Sequence, residues 1–123
     1  MNVIEAIRDR RSIRKYKTDL VSVETLEAVL DAARWAPSWA NKQCCRLVVV
    51  EKPENKLSIA EALSPTNPAI DAVQNAPVLI VACAEMGRSG FKKGEAATDK
   101  GDWFMFDVAL AMQNLTLAAH ELG

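Results

Sequence analysis

The sequence predicts an α+β fold, a central sheet flanked by helices, and three observations lead to it. Leu47-Val48-Val49-Val50 and Val78-Leu79-Ile80-Val81-Ala82 are short apolar runs rich in β-branched residues, which read as two buried strands. Residues 22–33 and 102–122 instead repeat apolar side chains at helical spacing. With 123 residues, 50% of them apolar and 25% charged, the chain is sized for a single domain with a core, residues 1–123.

Each element has a local cause. Asn2 can cap a first helix running to about Arg10, because Glu5 three residues on completes a capping box and Val3, Ile4 and Ile7 share a face. Ser22 can cap a second, with Leu26, Val29, Leu30 and Ala33 spaced i, i+3, i+4, i+7; Pro37 and the polar residues after it stop it. Residues 54–63 read as helix, Ser64-Pro65-Thr66-Asn67-Pro68 as a turn, and residues 69–75 as a short helix. The glycines at 87, 90, 94 and 101 mark residues 87–101 as a mobile surface loop. From Asp102 to Leu122 a helix of roughly 30 Å is expected. Its apolar residues run nearly all round, so cover from a second subunit is expected, with Met112 as a natural interface position.

Charge is unevenly placed. The net charge is −1, yet residues 8–17 set Arg8, Arg10, Arg11, Arg14, Lys15 and Lys17 against Asp9 alone. That local surplus fits a small anion better than a long polyanion, which needs charge spread along a groove. In an extended segment side chains two apart leave on one face, so Arg10, Ser12 and Arg14 would offer two guanidinium forks and a hydroxyl to a terminal phosphate. The plainer reading is a solvated basic stretch. Pro37-Ser38-Trp39-Ala40-Asn41 is either a polar binding loop or a helix stop followed by a turn.

Cys44, Cys45 and Cys83 are an odd set without metal-ligand spacing, so no zinc site is expected, and adjacent Cys44 and Cys45 read as apolar filler at a strand entry. The N-terminus does not read as a targeting segment, and the longest apolar run, residues 78–84, is too short to span a bilayer. A cytoplasmic protein with reduced thiols, binding neither membrane nor nucleic acid, is the expectation. His120, the sole histidine, suits the C-terminal end of its helix, Asn67 suits turn chemistry, and Trp103 suits packing. No side chain stands out as a catalytic nucleophile or base.

Three ordered segments carry a family likeness: Arg10-Arg11-Ser12-Ile13-Arg14-Lys15-Tyr16, then Ala36-Pro37-Ser38-Trp39-Ala40-Asn41-Lys42-Gln43, then the run from Asp102 through Asp107 to Leu117-Ala118-Ala119-His120-Glu121-Leu122-Gly123. Together they resemble the nitroreductase family of FMN-dependent oxidoreductases. The resemblance implies a nitroreductase-like α-β-α sandwich in an obligate homodimer, with FMN reduced by NADH or NADPH and hydride passed, ping-pong, to a nitroaromatic, quinone or similar small-molecule acceptor. It places Arg10, Ser12 and Arg14 on the FMN phosphate and ribityl chain, and Arg11 near the flavin through its backbone. Pro37, Ser38, Asn41 and Gln43 fall on the loop that reaches the flavin bound mainly by the neighbouring subunit. Cys44-Cys45 stand where relatives usually carry Pro-Trp. The likeness also implies a domain incomplete at its C-terminal end, since relatives continue with further strands. Alternatives are another FMN task in the superfamily, such as dehalogenation or flavin breakdown, or a non-enzymatic module binding nucleic acid or protein through residues 8–17.

Overall fold

The computed structural model describes residues 2–123, and its helices and strands alternate in the mixed order of an α+β chain. Helix α1 spans Val3–Asp9, and the expected capping box is formed in both directions: Glu5 N–H donates to Asn2 Oδ1 and Asn2 N–H to Glu5 Oε2, each at 3.0 Å. Helix α2 covers Val23–Arg34, strand β1 Cys45–Val50, helix α3 Pro53–Glu61, helix α4 Ile70–Asn75 and strand β2 Leu79–Ala84. A two-residue pair, β3 (Phe91–Lys92) and β4 (Glu95–Ala96), precedes the long helix α5, Phe104–Glu121.

Strands β1 and β2 pair as a two-stranded sheet, and β3 with β4 forms an antiparallel hairpin in which Phe91 faces Ala96 and Lys92 faces Glu95. Both long strands are less buried than expected. Val50 is buried, but Val48 is 49% exposed and Val49, Ala82 and Cys83 are also exposed. The reason is geometric: among the described residues the sheet is only two strands wide, and side chains such as Val48 and Cys83 stand on parts of its faces that no helix or second sheet covers.

Two compact units are distinguished. The first contains residues 2–10, 23–47 and 82–123. Here α2 packs on α5, with Val29 and Ala33 buried from one helix and Ala111 and Leu115 from the other; the i, i+4 spacing puts each pair on one face. Asn114 Nδ2 donates to the Ala32 carbonyl at 3.2 Å, fixing the register between the two helices. α1 rests on α5 and buries Ala6. The second unit, residues 11–22 and 48–81, is built on α3 against α4. Lys56 is buried there and its Nζ donates to the carbonyl of Ala76, the C-cap of α4, at 2.6 Å, a cation on a helix C-terminus. Asn67 does turn work as expected, its Oδ1 accepting from Ala69 N–H at 2.9 Å.

Residues 87–101 correct the expectation of a plain surface loop. Besides the β3–β4 hairpin, Ser89 and Gly90 are buried, held under Trp103, whose N–H donates to the Ser89 carbonyl at 3.0 Å. Within one chain helix α5 is only partly covered. Asp107, Ala111 and Leu115 are buried, whereas Met105 is 72% and Phe106 54% exposed. Among the described residues no helix is long and apolar enough to cross a membrane.

Candidate functional site

The first cluster of expected site residues follows α1. Arg10 is half-buried and forms the C-cap of the helix, its N–H donating to the Ala6 carbonyl at 3.1 Å. Arg11 to Ser22 then run without regular structure and fully on the surface. The structure brings Ser12 and Arg14 together, because Arg14 Nη1 donates to the Ser12 carbonyl at 3.3 Å. Tyr16 makes the companion contact, its hydroxyl donating to the Ile13 carbonyl at 3.2 Å.

The second cluster is the loop that leaves α2. Pro37 and Ser38 lead into a short 3-10 turn, Trp39–Asn41, and the backbone there is unusual: Ala40 (φ 48°), Asn41 (φ 53°) and Gln43 (φ 51°) all lie in the left-handed region. For residues with a Cβ this conformation costs of order 1–2 kcal/mol apiece, so something must hold it. Within the loop, Ser38 Oγ accepts from Gln43 N–H at 2.9 Å, and Gln43 Nε2 donates to Asn41 Oδ1 at 2.9 Å. The loop thus brings Ser38, Asn41 and Gln43 side by side. The Ser38 hydroxyl proton is not used in that bond and can be donated elsewhere. Lys92 of the hairpin sets its Nζ 5.9 Å from the Trp39 ring centroid, adding a cation over that indole.

Further contacts hold the loop from beneath, through a residue that sequence reasoning leaves in the long helix pattern. Asp107, 2% exposed in the first turn of α5, accepts from three donors: Trp39 N–H at 2.9 Å on Oδ1, and on Oδ2 Ser89 Oγ–H at 2.6 Å and Cys44 Sγ–H at 3.6 Å. A buried carboxylate is tolerated there because donors surround it and the helix N-terminus favours negative charge. Cys44 is fully buried and more than filler, since its thiol is one of those donors. Burial pushes the Cys44 thiol up from its ordinary value, and the neighbouring Asp107 charge and hydrogen bond push it further, so it stays protonated. The only sequence signal for this cluster was an acid within an otherwise apolar helix face. Ser89, fully buried in the glycine-rich segment, left no signal.

Each of the two clusters, taken by itself, offers donors that a part of a nucleotide cofactor could use. Amide and hydroxyl groups on a shaped loop match the hydrogen-bonding edge of an isoalloxazine ring, and the exposed guanidinium group of Arg14 beside Ser12 matches a phosphate, whereas Arg10 is half-buried, with its Nε buried. His120 lies in the last turn of α5, with Nε2 buried and without a hydrogen-bond partner.

Comparisons with known proteins show the family and the fold. The model of the nitroreductase family matches residues 7–75 and 66–123. A relative from Methanothermobacter thermautotrophicus, provisionally named NADH dehydrogenase/NAD(P)H nitroreductase, is 37% identical over 123 residues, which is 100% of this chain and 58% of that protein. The solved structure of a nitroreductase family protein from Clostridium novyi NT superposes with a TM-score of 0.85 at 35% identity, over 100% of this chain and 66% of the other. A provisionally named nitroreductase from Desulfovibrio desulfuricans, solved in complex with FMN, gives a TM-score of 0.74 at 33% identity, over 98% and 63%. The chain therefore has the nitroreductase fold and spans less than two thirds of the length of each of these proteins.

Proposed function

The chain belongs to the nitroreductase family, and from that premise we propose that it forms the FMN-binding part of an NAD(P)H-dependent oxidoreductase. When bound, FMN supplies the redox chemistry, taking hydride from NADH or NADPH and passing it in a ping-pong cycle to a nitroaromatic, quinone or similar small acceptor. The protein's own task is to bind, orient and shield. FMN is supported by the Desulfovibrio desulfuricans complex and the nicotinamide reductant by the name of the Methanothermobacter relative.

The observation that carries the reading is the 37–43 loop. Three non-glycine residues kept in the left-handed region, beside a serine whose hydroxyl proton can still be donated, are strain stored at a polar surface, a feature of ligand-binding loops. In this reading Pro37 ends the preceding helix, Ser38, Asn41 and Gln43 face the flavin ring, and Arg11 approaches it through its backbone. Arg10, Ser12 and Arg14 take the phosphate and ribityl chain, where guanidinium forks give charge-assisted, bidentate bonds. No side chain of this chain need act as a nucleophile or base, because the electrons move through the cofactor.

Two copies complete the site, the loop of one subunit reaching flavin held mainly by the other. Exposed Met105 and Phe106 on α5 support such a homodimer, being large apolar side chains on a surface that a partner would cover. The three free cysteines and the reduced nicotinamide substrate suit a cytoplasmic setting.

Flavin titration of Arg10→Ala, Arg14→Ala and Lys17→Ala tests the phosphate assignment. Hydrogen bonds to charged groups are worth about 1.5–3 kcal/mol each, so either arginine variant should bind FMN tenfold or more weakly, with Lys17→Ala near the native value. Equal affinity in all three would contradict it.

A further inference from the structure

We propose that Asp107 is a positioning residue for flavin binding: from inside the molecule it fixes the backbone conformation of the loop that carries Ser38, Asn41 and Gln43. The proposal rests on the reading that this loop meets FMN. Asp107 itself is too buried to touch a ligand and lies beneath the loop.

The division of labour between its two oxygens carries the argument. Oδ2 is taken up by Ser89 and Cys44, which anchor the carboxylate to the 87–101 segment and to the residue that precedes β1. Oδ1 remains for Trp39 N–H at 2.9 Å. Trp39 is the residue just before Ala40 and Asn41, where the chain turns into the left-handed region. Its amide is partly buried, so losing the acceptor would leave a donor unsatisfied and remove the tie that opposes relaxation of the two strained residues. Ser38, Asn41 and Gln43 would then lose their common orientation, since their mutual bonds depend on that turn. The internal bonds of the loop hold its shape; Asp107 holds that shape to α5.

The single side-chain amide of asparagine, with one oxygen and one NH2, predicts a selective rescue. Asn at 107 keeps one oxygen for Trp39 N–H and presents its NH2 to Ser89, whose hydroxyl can rotate to accept. Leucine, of similar size, offers nothing to either. Ser89→Ala removes a bond to the same carboxylate without touching the Trp39 tie, and so separates stability from positioning.

The test compares Asp107→Leu, Asp107→Asn and Ser89→Ala in the full natural chain by FMN fluorescence titration, thermal melting and hydrogen exchange at the Trp39 amide without flavin. Asp107→Leu should raise the FMN Kd at least tenfold and speed Trp39 exchange at least tenfold. Asp107→Asn and Ser89→Ala should melt lower yet keep Kd and Trp39 exchange within threefold of native. A folded Asp107→Leu with native Kd and a protected Trp39 amide overturns the proposal. So does a Ser89→Ala or Asp107→Asn protein whose Kd rises tenfold, in step with its loss of melting temperature, which would mark Asp107 as merely structural; this comparison decides the matter if Asp107→Leu does not fold. If the native protein binds no FMN, the functional reading fails, and Trp39 exchange in the same variants still decides whether Asp107 holds the loop.

Discussion

Gly90 lies directly against the indole of Trp103: a Cβ built on it would collide with Trp103 Cδ1 and stand 2.6 Å from the Gly101 carbonyl oxygen. Gly90 also has φ +87°, which a side chain disfavours in its own right. Both effects point the same way. Gly90→Ala should therefore destabilise the fold by about 2 kcal/mol or more, read as a lowered melting temperature, because backbone strain adds to displacement of the ring. The same change at Gly94, where a Cβ meets nothing within 4 Å though φ is +78°, isolates the backbone cost and should be milder. Equal losses at the two positions would show that the Trp103 contact contributes nothing.

Buried thiols make alkaline stability predictable. Burial first and the Asp107 charge second raise the Cys44 pKa in the folded state; burial also raises that of Cys45. A folded-state pKa above the unfolded value means that the unfolded chain loses the proton first, so the stabilisation is complete below about pH 8.5 and is lost as pH rises from there through the folded pKa. Melting temperature should fall over that window, and Cys44→Ala should flatten the fall even though it removes a bond to Asp107. An unchanged slope in Cys44→Ala would contradict the assignment. Alkylation at neutral pH should reach exposed Cys83 first and buried Cys44 last.

Assembly is tested on α5. Met112, the interface position suggested by the helix pattern, is half-buried within the protomer, so a charge there would disturb folding as well as pairing. Met105, 72% exposed, is the cleaner reporter. Met105→Glu should leave the melting of the protomer nearly unchanged while shifting sedimentation towards monomer and weakening retention of flavin. A variant that sediments and binds FMN as the native protein does would place the interface elsewhere.

What the sequence disclosed follows the range of the interactions concerned. The Asn2/Glu5 capping box, the α2 stripe ending in buried Ala33, the Pro37 stop and the Asn67 turn all depend on residues within a few positions of one another, and all are found in the structure. The Asp107 cluster joins residues 18, 63 and 68 positions apart, and no local pattern distinguishes an acid that receives a distant amide from one that faces water. Ser89 and Gly90 were hidden for a related reason. Glycine and charge mark a loop, but only packing against Trp103 shows that its first residues are interior. Strand burial was overestimated because β-branched composition reports the preference for a pleated backbone, whereas exposure of Val48 depends on how many strands and helices lie alongside.

If this chain forms part of a flavoenzyme, its bound flavin must take electrons from a reduced nicotinamide, and a single visible spectrum reads that out. The full natural protein, purified and loaded with FMN, is mixed anaerobically with NADH or with NADPH while the visible flavin absorption is followed. FMN should stay bound stoichiometrically through gel filtration, and at least one of the two reductants should bleach the flavin band, with colour restored by a quinone or nitroaromatic. A protein that emerges colourless after loading, or a bound flavin that neither reductant bleaches, would contradict the flavoenzyme reading.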